Sequence, residues 1–424
     1  MIKFLIKGIL RDKSRSLLPV IVVAIGVFLT VFMSGFMKGI FNDITDLNAK
    51  FTTGHVKILT RAYSQNADQL PNDLALLDVK NLIDKLRNDY PAMNWVERIH
   101  TGGLLDVPDS VGETRGQGQA MATAIDLLTP GTEEIERMNI KKSLVRGSLP
   151  ARPGEALISD DFAVRFGVPI GGKVTLFGAT MNGSMMFKTF VVSGTLRFGT
   201  SMLDRGAIFM DITDAQLALD MDNAASEVLG YFKGGKYDDL KAQEIESSFN
   251  KKYGKEGDEF APVMSRLVEQ EGLGDYLKLA DSASALMGFI FVVAMSIVLW
   301  NTGLLGGLRR YNEFGIRLAL GEEKKHIYIT TIYEAFLIGI MGSVIGTGLG
   351  LGASYYMQTY GLDMSNITRN IGMMFPSVYR AEVTPSLFYI GFFPGLIATV
   401  LGSALAGFTI YKRRTSQLFH ELEV

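Results

Sequence analysis

The feature that most restricts this chain is a run of twenty residues, 17–36, without one charged side chain. Crossing a hydrocarbon core of ~30 Å takes roughly 20 apolar residues in a helix. Three further stretches, 282–308, 327–356 and 386–411, have the same character and are broken only by Glu334. No soluble core helix needs so much uninterrupted apolar length. The mean hydropathy of +0.20 averages these spans with residues 42–281, which carry charges throughout, as a soluble domain does. The expected fold is therefore an integral membrane protein. It has four transmembrane α-helices, one plus three, with a large α+β extracytoplasmic domain between spans 1 and 2.

Basic residues beside the spans set the orientation. Lys3, Lys7, Arg11, Lys13 and Arg15 precede span one, and Arg309, Arg310, Arg317, Lys324 and Lys325 fill the loop before span three. Lys412, Arg413 and Arg414 follow span four, whereas Arg369 and Arg380 are offset by Asp363 and Glu382. Both termini and the middle loop are placed in the cytoplasm and the large domain outside, as in a bacterial inner membrane. The expected order begins with a basic N-terminal segment (1–16), span one (17–40) and a periplasmic domain with helical stalks (41–281). Span two (282–308), a short cytoplasmic helical segment (309–326) and span three (327–356) follow. A short periplasmic loop (357–384), span four (385–411) and a cytoplasmic tail (412–424) complete it. Span one is read as a retained anchor: its apolar run is too long for a signal peptide and no A-x-A-like site follows. Ile40, Ile44 and Leu47 continue its helical rhythm into a stalk.

Within the bilayer, Gly342, Gly346 and Gly350 share one face of span three, extended by Gly339, and span four repeats the idea with Ala398, Gly402 and Ala406. Small residues let helix backbones approach where lipid offers no hydrophobic drive. The pattern fits packing of span three on span four, or a seam between two copies. Phe28, Phe32, Met33, Phe36 and Met37 on span one are bulky, as are Met287, Phe289 and Phe291 on span two. They either face lipid or line a cavity that accepts acyl chains, since such side chains adapt to irregular apolar shapes. Glu334 lies two turns from the cytoplasmic edge and is read as an interfacial or paired acid, because the spans hold no second titratable group for a proton relay.

In the exterior domain, apolar patterning predicts strands at 55–59, 103–107, 156–158, 173–177, 187–192, 207–210 and 228–232. Helices are predicted at 78–90, 160–166, 213–219 and 237–253, and a helical run from 265 to 282 leads into span two. Interleaved strands and helices point to an α+β domain. Chemistry is sparse. His55, His100, His326 and His420 are scattered, there is no cysteine, and no catalytic or metal-ligand spacing appears. Asp160 and Asp161 stand at a strand-to-helix junction, where an acid caps the helix. The net charge of −2 gives no reason to expect a nucleic-acid partner.

The most specific segment is Tyr311-Asn312-Glu313-Phe314-Gly315-Ile316-Arg317-Leu318-Ala319-Leu320-Gly321. It reads as a short helix with Phe314, Ile316 and Leu320 free to dock. Arg317 can pair with Glu313 at i,i+4 spacing, and Gly321 ends the helix. This segment closely resembles the E-x-G-I-R-x-A-L-G signature of the FtsX-like (MacB/Lol-type) ABC transporter permeases. Glu334-Ala335 and the opening Arg11-Asp12-Lys13-Ser14-Arg15-Ser16-Leu17-Leu18 fit that family. So do Arg146-Gly147-Ser148-Leu149-Pro150 with Gly154-Glu155-Ala156-Leu157-Ile158-Ser159, and Phe166-Gly167-Val168 leading to Gly171-Gly172-Lys173-Val174. The tail departs from the pattern: Ser416-Gln417-Leu418 stands where the family often has a proline. Thr53-Gly54-His55-Val56-Lys57-Ile58 is similar to a strand of the lipoprotein-releasing LolC/LolE-like branch.

The resemblance implies that Glu313, Phe314, Gly315, Ile316, Arg317, Leu320 and Gly321 form a coupling helix seated on a cytoplasmic ABC ATPase dimer. The sequence holds no G-x-x-x-x-G-K-[ST], so ATP and Mg are expected on that partner, with no cofactor, metal or catalytic residue in this chain. It further implies a second permease copy or sister permease, and a lipoprotein substrate whose acyl chains enter between span one of one subunit and span two of the next. A periplasmic chaperone or adaptor is also implied. Lifting an acylated anchor from membrane lipids at ~0.8 kcal/mol per buried CH₂ needs an external energy source. The alternatives are a signalling or interaction protein that activates a periplasmic hydrolase or sensor, and an efflux permease for drugs or peptides.

Overall fold

A computed structural model describes residues 13–412 apart from 110–111, 199–200, 256, 271, 276–277, 280–281, 283–284, 291–292, 295–296, 299–315 and 364–377. The chain divides into two compact units, one of residues 1–42, 278–363 and 378–424, the other of 43–277 and 364–377.

The first helix, α1 (Lys13–Asn48), is one continuous element of 36 residues. Its last turn relaxes into a π-helix, Ala49–Thr53, which stops at Gly54. The φ of +61° at Gly54 lies in a region that side chains resist, and its N–H closes on the Ala49 carbonyl at 2.9 Å.

Among the described residues the second unit is built on a ten-stranded sheet with helices packed on it. In chain order these are β1 (Val56–Thr60), α2 (Val79–Asp89), β2 (Met93–Pro108) and β3 (Thr114–Ile125). Next come α3 (Glu134–Arg137), β4 (Leu144–Gly147), β5 (Glu155–Ser159), α4 (Asp160–Phe166), β6 (Lys173–Ala179) and β7 (Met185–Leu196). Then follow β8 (Ala207–Asp211), β9 (Glu227–Phe232), α5 (Asp239–Tyr253) and β10 (Pro262–Arg266). The strand order is β10–β1–β9–β2–β3–β8–β5–β7–β4, with β6 paired to β2 and β7. Only β3–β8 and β5–β7 are parallel. The 16-residue β2 bridges the two halves of this sheet. Its first part, from Met93 to Arg98, pairs with β9, and its second part, from Ile99 onward, pairs with β3.

Burial explains the positions of these elements. Val79, Ile83 and Leu86 form the buried stripe of α2 and join Trp95, Ile99, Leu105 and Phe190 in the main core. A smaller cluster gathers Phe51, just past α1, with Ile125, Leu157 and Phe209. The strands and helices expected from apolar patterning are present. The expected run of helix from 265 to 282 starts later: Ser265 pairs with Lys57 inside β10, a 3₁₀ turn follows at Leu267–Glu269, and of the rest the described residues 273–275, 278–279 and 282 are helical. The cap at the start of α4 is also a correction. Ser159, not an aspartate, accepts the Phe162 N–H at 3.2 Å. Asp160 instead binds Arg146 at 2.6 Å, Arg197 at 2.9 Å and the Thr195 hydroxyl at 2.8 Å.

The first unit contains α1 up to Asn42 together with α6 (Lys324–Tyr360) and α7 (Phe392–Lys412). Among the described residues three helices are long and apolar enough to cross a membrane: Leu17–Thr53, Lys324–Tyr360 and Leu387–Leu405. The expected span two lies largely outside the described residues. The expected packing of span three on span four is present between α6 and α7, but the face formed by Gly342, Gly346 and Gly350 receives α1 instead. A Cβ at Gly342 would stand 2.6 Å from Val23, and one at Gly350 would stand 2.8 Å from Val31. Gly339 alone of that stripe meets α7, at Leu396 and Thr399. Val23, Val27 and Val31 form a buried ridge with Leu387 and Ala398, so knobs from α1 fill holes that glycine leaves. Gly35 and Gly39 in turn let the backbone of residues 380–382 lie on α1, where the Glu382 N–H donates to the Gly35 carbonyl at 2.9 Å.

Candidate functional site

Two local arrangements stand out among the described residues: the turn before α6, and the end of α1 with the groups that cap it. The turn is described from Ile316 onward, and Glu313, Phe314 and Gly315 lie outside the described residues. The Gly321 N–H donates to the Leu318 carbonyl at 3.1 Å, and the Glu322 N–H reaches back to the Arg317 carbonyl at 3.0 Å. With φ of +92° at Gly321, these two bonds make a Schellman stop, which satisfies carbonyls that a helix end leaves open. Arg317 approaches Glu322 at 4.0 Å, and Glu322 holds His326 at 2.7 Å. Ile316 and Leu320, one turn apart, are 61% and 82% exposed. Two large apolar side chains thus stand exposed one turn apart on a turn with a fixed stop.

The aromatic residues singled out in the sequence are only partly gathered. Phe28, Phe32 and Phe36 stack along one face of α1 with ring centroids 6.0 and 6.3 Å apart, and they are half-buried, as are Met33 and Met37. Met287 and Phe289 are exposed, and Phe291 lies outside the described residues. Among the described residues no ring contact joins the two sets.

The end of α1 is held by residues that sequence reasoning passed over. Arg98, fully buried on β2, donates through Nη2 to the Lys50 carbonyl at 2.9 Å and through Nη1 to the Phe51 carbonyl at 3.0 Å. Its Nε donates to Glu134 at 2.9 Å, and Nη2 also reaches the Tyr231 hydroxyl at 3.1 Å. The Tyr231 hydroxyl in turn donates a hydrogen bond to the Ala49 carbonyl at 3.0 Å. Gln270 donates to the Thr53 carbonyl at 3.2 Å, and Arg137 lies 4.1 Å over the Tyr231 ring while pairing with Glu133 and Glu134. Burial opposes the charge on Glu134, but Arg98 and Arg137 outweigh it and hold the carboxyl below its ordinary range. The terminal carbonyls of a long helix carry partial negative charge, and a buried guanidinium is an apt cap for them.

A second buried set stands one strand away. Glu227 binds Lys57 and His100, each at 3.0 Å. Burial pushes its carboxyl up, but Lys57 and His100 more than reverse this and hold it at about 2. His55, next to the Gly54 stop, accepts the Phe232 N–H at 3.0 Å and packs against Tyr231 and Tyr237. Burial lowers it to about 4, so it is neutral at pH 7. A lone Arg in a strand, with its acid 36 positions away, leaves no local signal in the sequence. The described residues hold no grouping of His, Cys, Asp and Glu fit for a metal ion.

Comparison with known proteins fits this division of the chain. Residues 16–246 match the MacB-like periplasmic core domain family, and residues 285–414 match the FtsX-like permease C-terminal family. A macrolide export ATP-binding/permease protein MacB from Burkholderia thailandensis is 27% identical over 254 residues, 58% of this chain and 34% of the relative. The MacB of Wolinella succinogenes is 29% identical over 101 residues, 23% of this chain and 15% of the relative. The chain thus spans about a third of the longer-matched relative's length. The periplasmic region of MacB from Actinobacillus actinomycetemcomitans superposes with a TM-score of 0.36 and 9% identity, over 55% of this chain and 96% of that structure.

Proposed function

We propose, from the premise that this chain belongs to the FtsX/MacB-type ABC transporter permease family, that it converts ATP hydrolysis by a separate cytoplasmic ATPase dimer into movement of its periplasmic domain. The ATPase binds ATP and Mg, and this chain supplies the membrane path with four spans and both termini in the cytoplasm. Two copies, or this chain and a sister permease, face each other. The observation that carries the reading is the exposed Ile316–Leu320 pair on a turn locked by its Gly321 stop. Arg317 and Leu320 seat in a groove of the ATPase together with Glu313, Phe314, Gly315 and Ile316. The stroke travels along α1, whose continuity to Asn48 lets it transmit displacement with little loss. It enters the β domain at the carbonyls capped by Arg98, Tyr231 and Gln270.

The cargo in this reading is a lipid-anchored protein drawn from the membrane. Its acyl chains pass along Phe28, Phe32, Met33, Phe36 and Met37 toward Met287, Phe289 and Phe291 of a neighbouring subunit, on the way to a periplasmic chaperone. A second reading is favoured by the macrolide export proteins among the relatives: export of a drug or peptide through an adaptor. Replacing Arg317 and Leu320 together by Ala should abolish substrate-stimulated ATPase turnover in the reconstituted complex, with the permease still folded. Unchanged stimulation would remove the turn from this role. Mass spectrometry of the solubilised complex separates the cargoes, because a retained lipoprotein supports the first and a bound adaptor the second.

A further inference from the structure

The seam between α1 and α6 repeats itself. Val23, Val27 and Val31 lie against Gly342, Gly346 and Gly350, and Gly35 follows against the Ser354 hydroxyl. Each advance of four residues on α1 is matched by four on α6, so the contact keeps one offset along its length. The helix α7 supplies a second row of the same period, with Gly391 against Val31 and Gly395 against Val27. A valine ridge thus lies in a groove walled by two glycine tracks, and the same holes come round again one repeat along. Packed helices can jump by one turn when the seam offers two such arrangements. Side chains beside the track do not latch it, because the buried hydroxyls of Ser343, Thr347 and Ser354 have no hydrogen-bond partner. By contrast, the Tyr328 hydroxyl bonds α6 to the Ala404 carbonyl of α7 at 3.3 Å.

The ends of the seam select a direction. One repeat inward would set Val23 against Ile338, a buried branched side chain. One repeat outward is a rise of about 6 Å with about 40° of rotation. It sets Val23 on Gly346, Val27 on Gly350 and Pro19 beside Gly342. The backbone of residues 380–381 presses on Gly39 too closely for any side chain, and Gly35 would take that place. The Glu382 N–H, now on the Gly35 carbonyl at 2.9 Å, would find the Val31 carbonyl instead. The Glu382 carboxylate, now bonded to the Asn42 amide, would meet Lys38, which is four positions earlier and exposed. An amide contact becomes a charged pair. Resistance comes from Val31, which enters the space of Gly35, where the Ser354 hydroxyl and a Leu387 methyl stand 3.0 Å from a Cβ. Both are ends of side chains that can turn aside.

We propose that α1 has two seats in this groove, the one described above and a second one repeat outward, and that it steps between them with Lys38 replacing Asn42 beside Glu382. The step deepens the proposed function and rests on it for its use: it gives the stroke along α1 a length of about 6 Å. The two seats themselves follow from the packing of α1, α6 and α7 and do not depend on what the transporter carries.

The chain has no native cysteine, so Val31→Cys with Ser354→Cys reports on the second seat. In the first seat Val31 faces Gly350, one turn short of Ser354, and a disulfide needs Cβ atoms about 3.5–4.5 Å apart. The full chain is placed in lipid nanodiscs and oxidised with copper phenanthroline, an apolar oxidant that enters lipid. The initial rate of disulfide formation within one chain is measured. The bond should form readily. Adding Gly35→Ala should slow it about tenfold or more, because in the second seat the new methyl would strike the Arg380 carbonyl. Adding Lys38→Gln instead should slow it about two- to fivefold, the measure of an exposed charged pair. Lys38 is exposed, so this variant carries the test even where Gly35→Ala disturbs the fold. No disulfide after hours of oxidation would overturn the second seat. An equal rate with Gly35→Ala would overturn it too, since loose breathing would then bring the thiols together. An unchanged rate with Lys38→Gln would overturn the pairing with Glu382. The coupling role of Arg317 and Leu320 is judged by its own turnover assay, so either claim can fail while the other stands.

Discussion

Replacing Arg98 by Met keeps much of the side chain's volume and removes every bond its guanidinium makes. Two consequences follow from the geometry. Glu134 loses a partner at 2.9 Å but keeps Arg137, so the cost falls at the low end of the ~3–5 kcal/mol expected for breaking a buried ion pair. The Lys50 and Phe51 carbonyls lose their donors, adding ~1 kcal/mol each. The sum, about 5 kcal/mol, should be felt mainly where the bonds were, at the π-helix Ala49–Thr53 and the adjoining β1. Hydrogen exchange of the full chain in nanodiscs reads this directly. At 1.4 kcal/mol per decade, protection of amides 50–58 should fall by at least a hundredfold, with α6 unaffected. Replacing Arg98 and Glu134 together by Met and Leu should recover part of the loss, because a neutral core no longer strands a charge. The carbonyl part should persist in that double variant. Protection unchanged within threefold in Arg98→Met would refute the claim that this guanidinium fastens the end of α1.

Two other outcomes follow from the same reasoning. Gly346→Ile should lower the midpoint of thermal unfolding in detergent, since a Cβ there would stand 2.8 Å from Val27 and overpacking costs ~1–3 kcal/mol. Gly348→Ile, which meets open space two positions along the same helix, should leave the midpoint within a degree or two, and equal effects would contradict the assigned face. His55 is held at about 4 when folded against 6.5 when free, so the native state binds fewer protons between those values. Its contribution is complete above about pH 7 and is lost as pH falls from 6.5 to 4, by roughly 3 kcal/mol. His55→Gln should flatten that part of the stability profile, and an unchanged slope would show the imidazole to be protonated when folded.

The three long apolar helices and the turn stopped by Gly321 were legible because their signals are local. Uninterrupted apolar length marks a helix in lipid, and Gly321 after Ile316 and Leu320 marks a helix stop. Long-range features were not legible. The strand β3 reads Thr-Arg-Gly-Gln-Gly-Gln, which looks like a loop. Its Gly116 and Gly118 are there because the Phe166 and Phe162 rings press where side chains would begin, at 2.6 and 2.7 Å. The glycine stripe of α6 announced close packing but could not name its partner, since any helix with a β-branched ridge would fit. Val23, Val27 and Val31 supply that ridge from a helix more than 300 positions earlier. Arg98 was invisible for the same reason. An arginine in a strand reads as solvated until the chain brings Glu134 and the α1 carbonyls to it.

The central claim is that force enters from the cytoplasm at residues 316–321 and emerges in a domain on the other side of the membrane. With no native cysteine to confuse the signal, Leu320→Cys and Gly234→Cys can each be probed with a membrane-impermeant maleimide in cells whose outer barrier has been opened. Both positions are exposed, so reactivity reports only on which side they lie. Position 234 should label in those cells, and position 320 only after the inner membrane is broken and the ATPase stripped away. Labelling at 320 from outside, or protection at 234, would contradict the account.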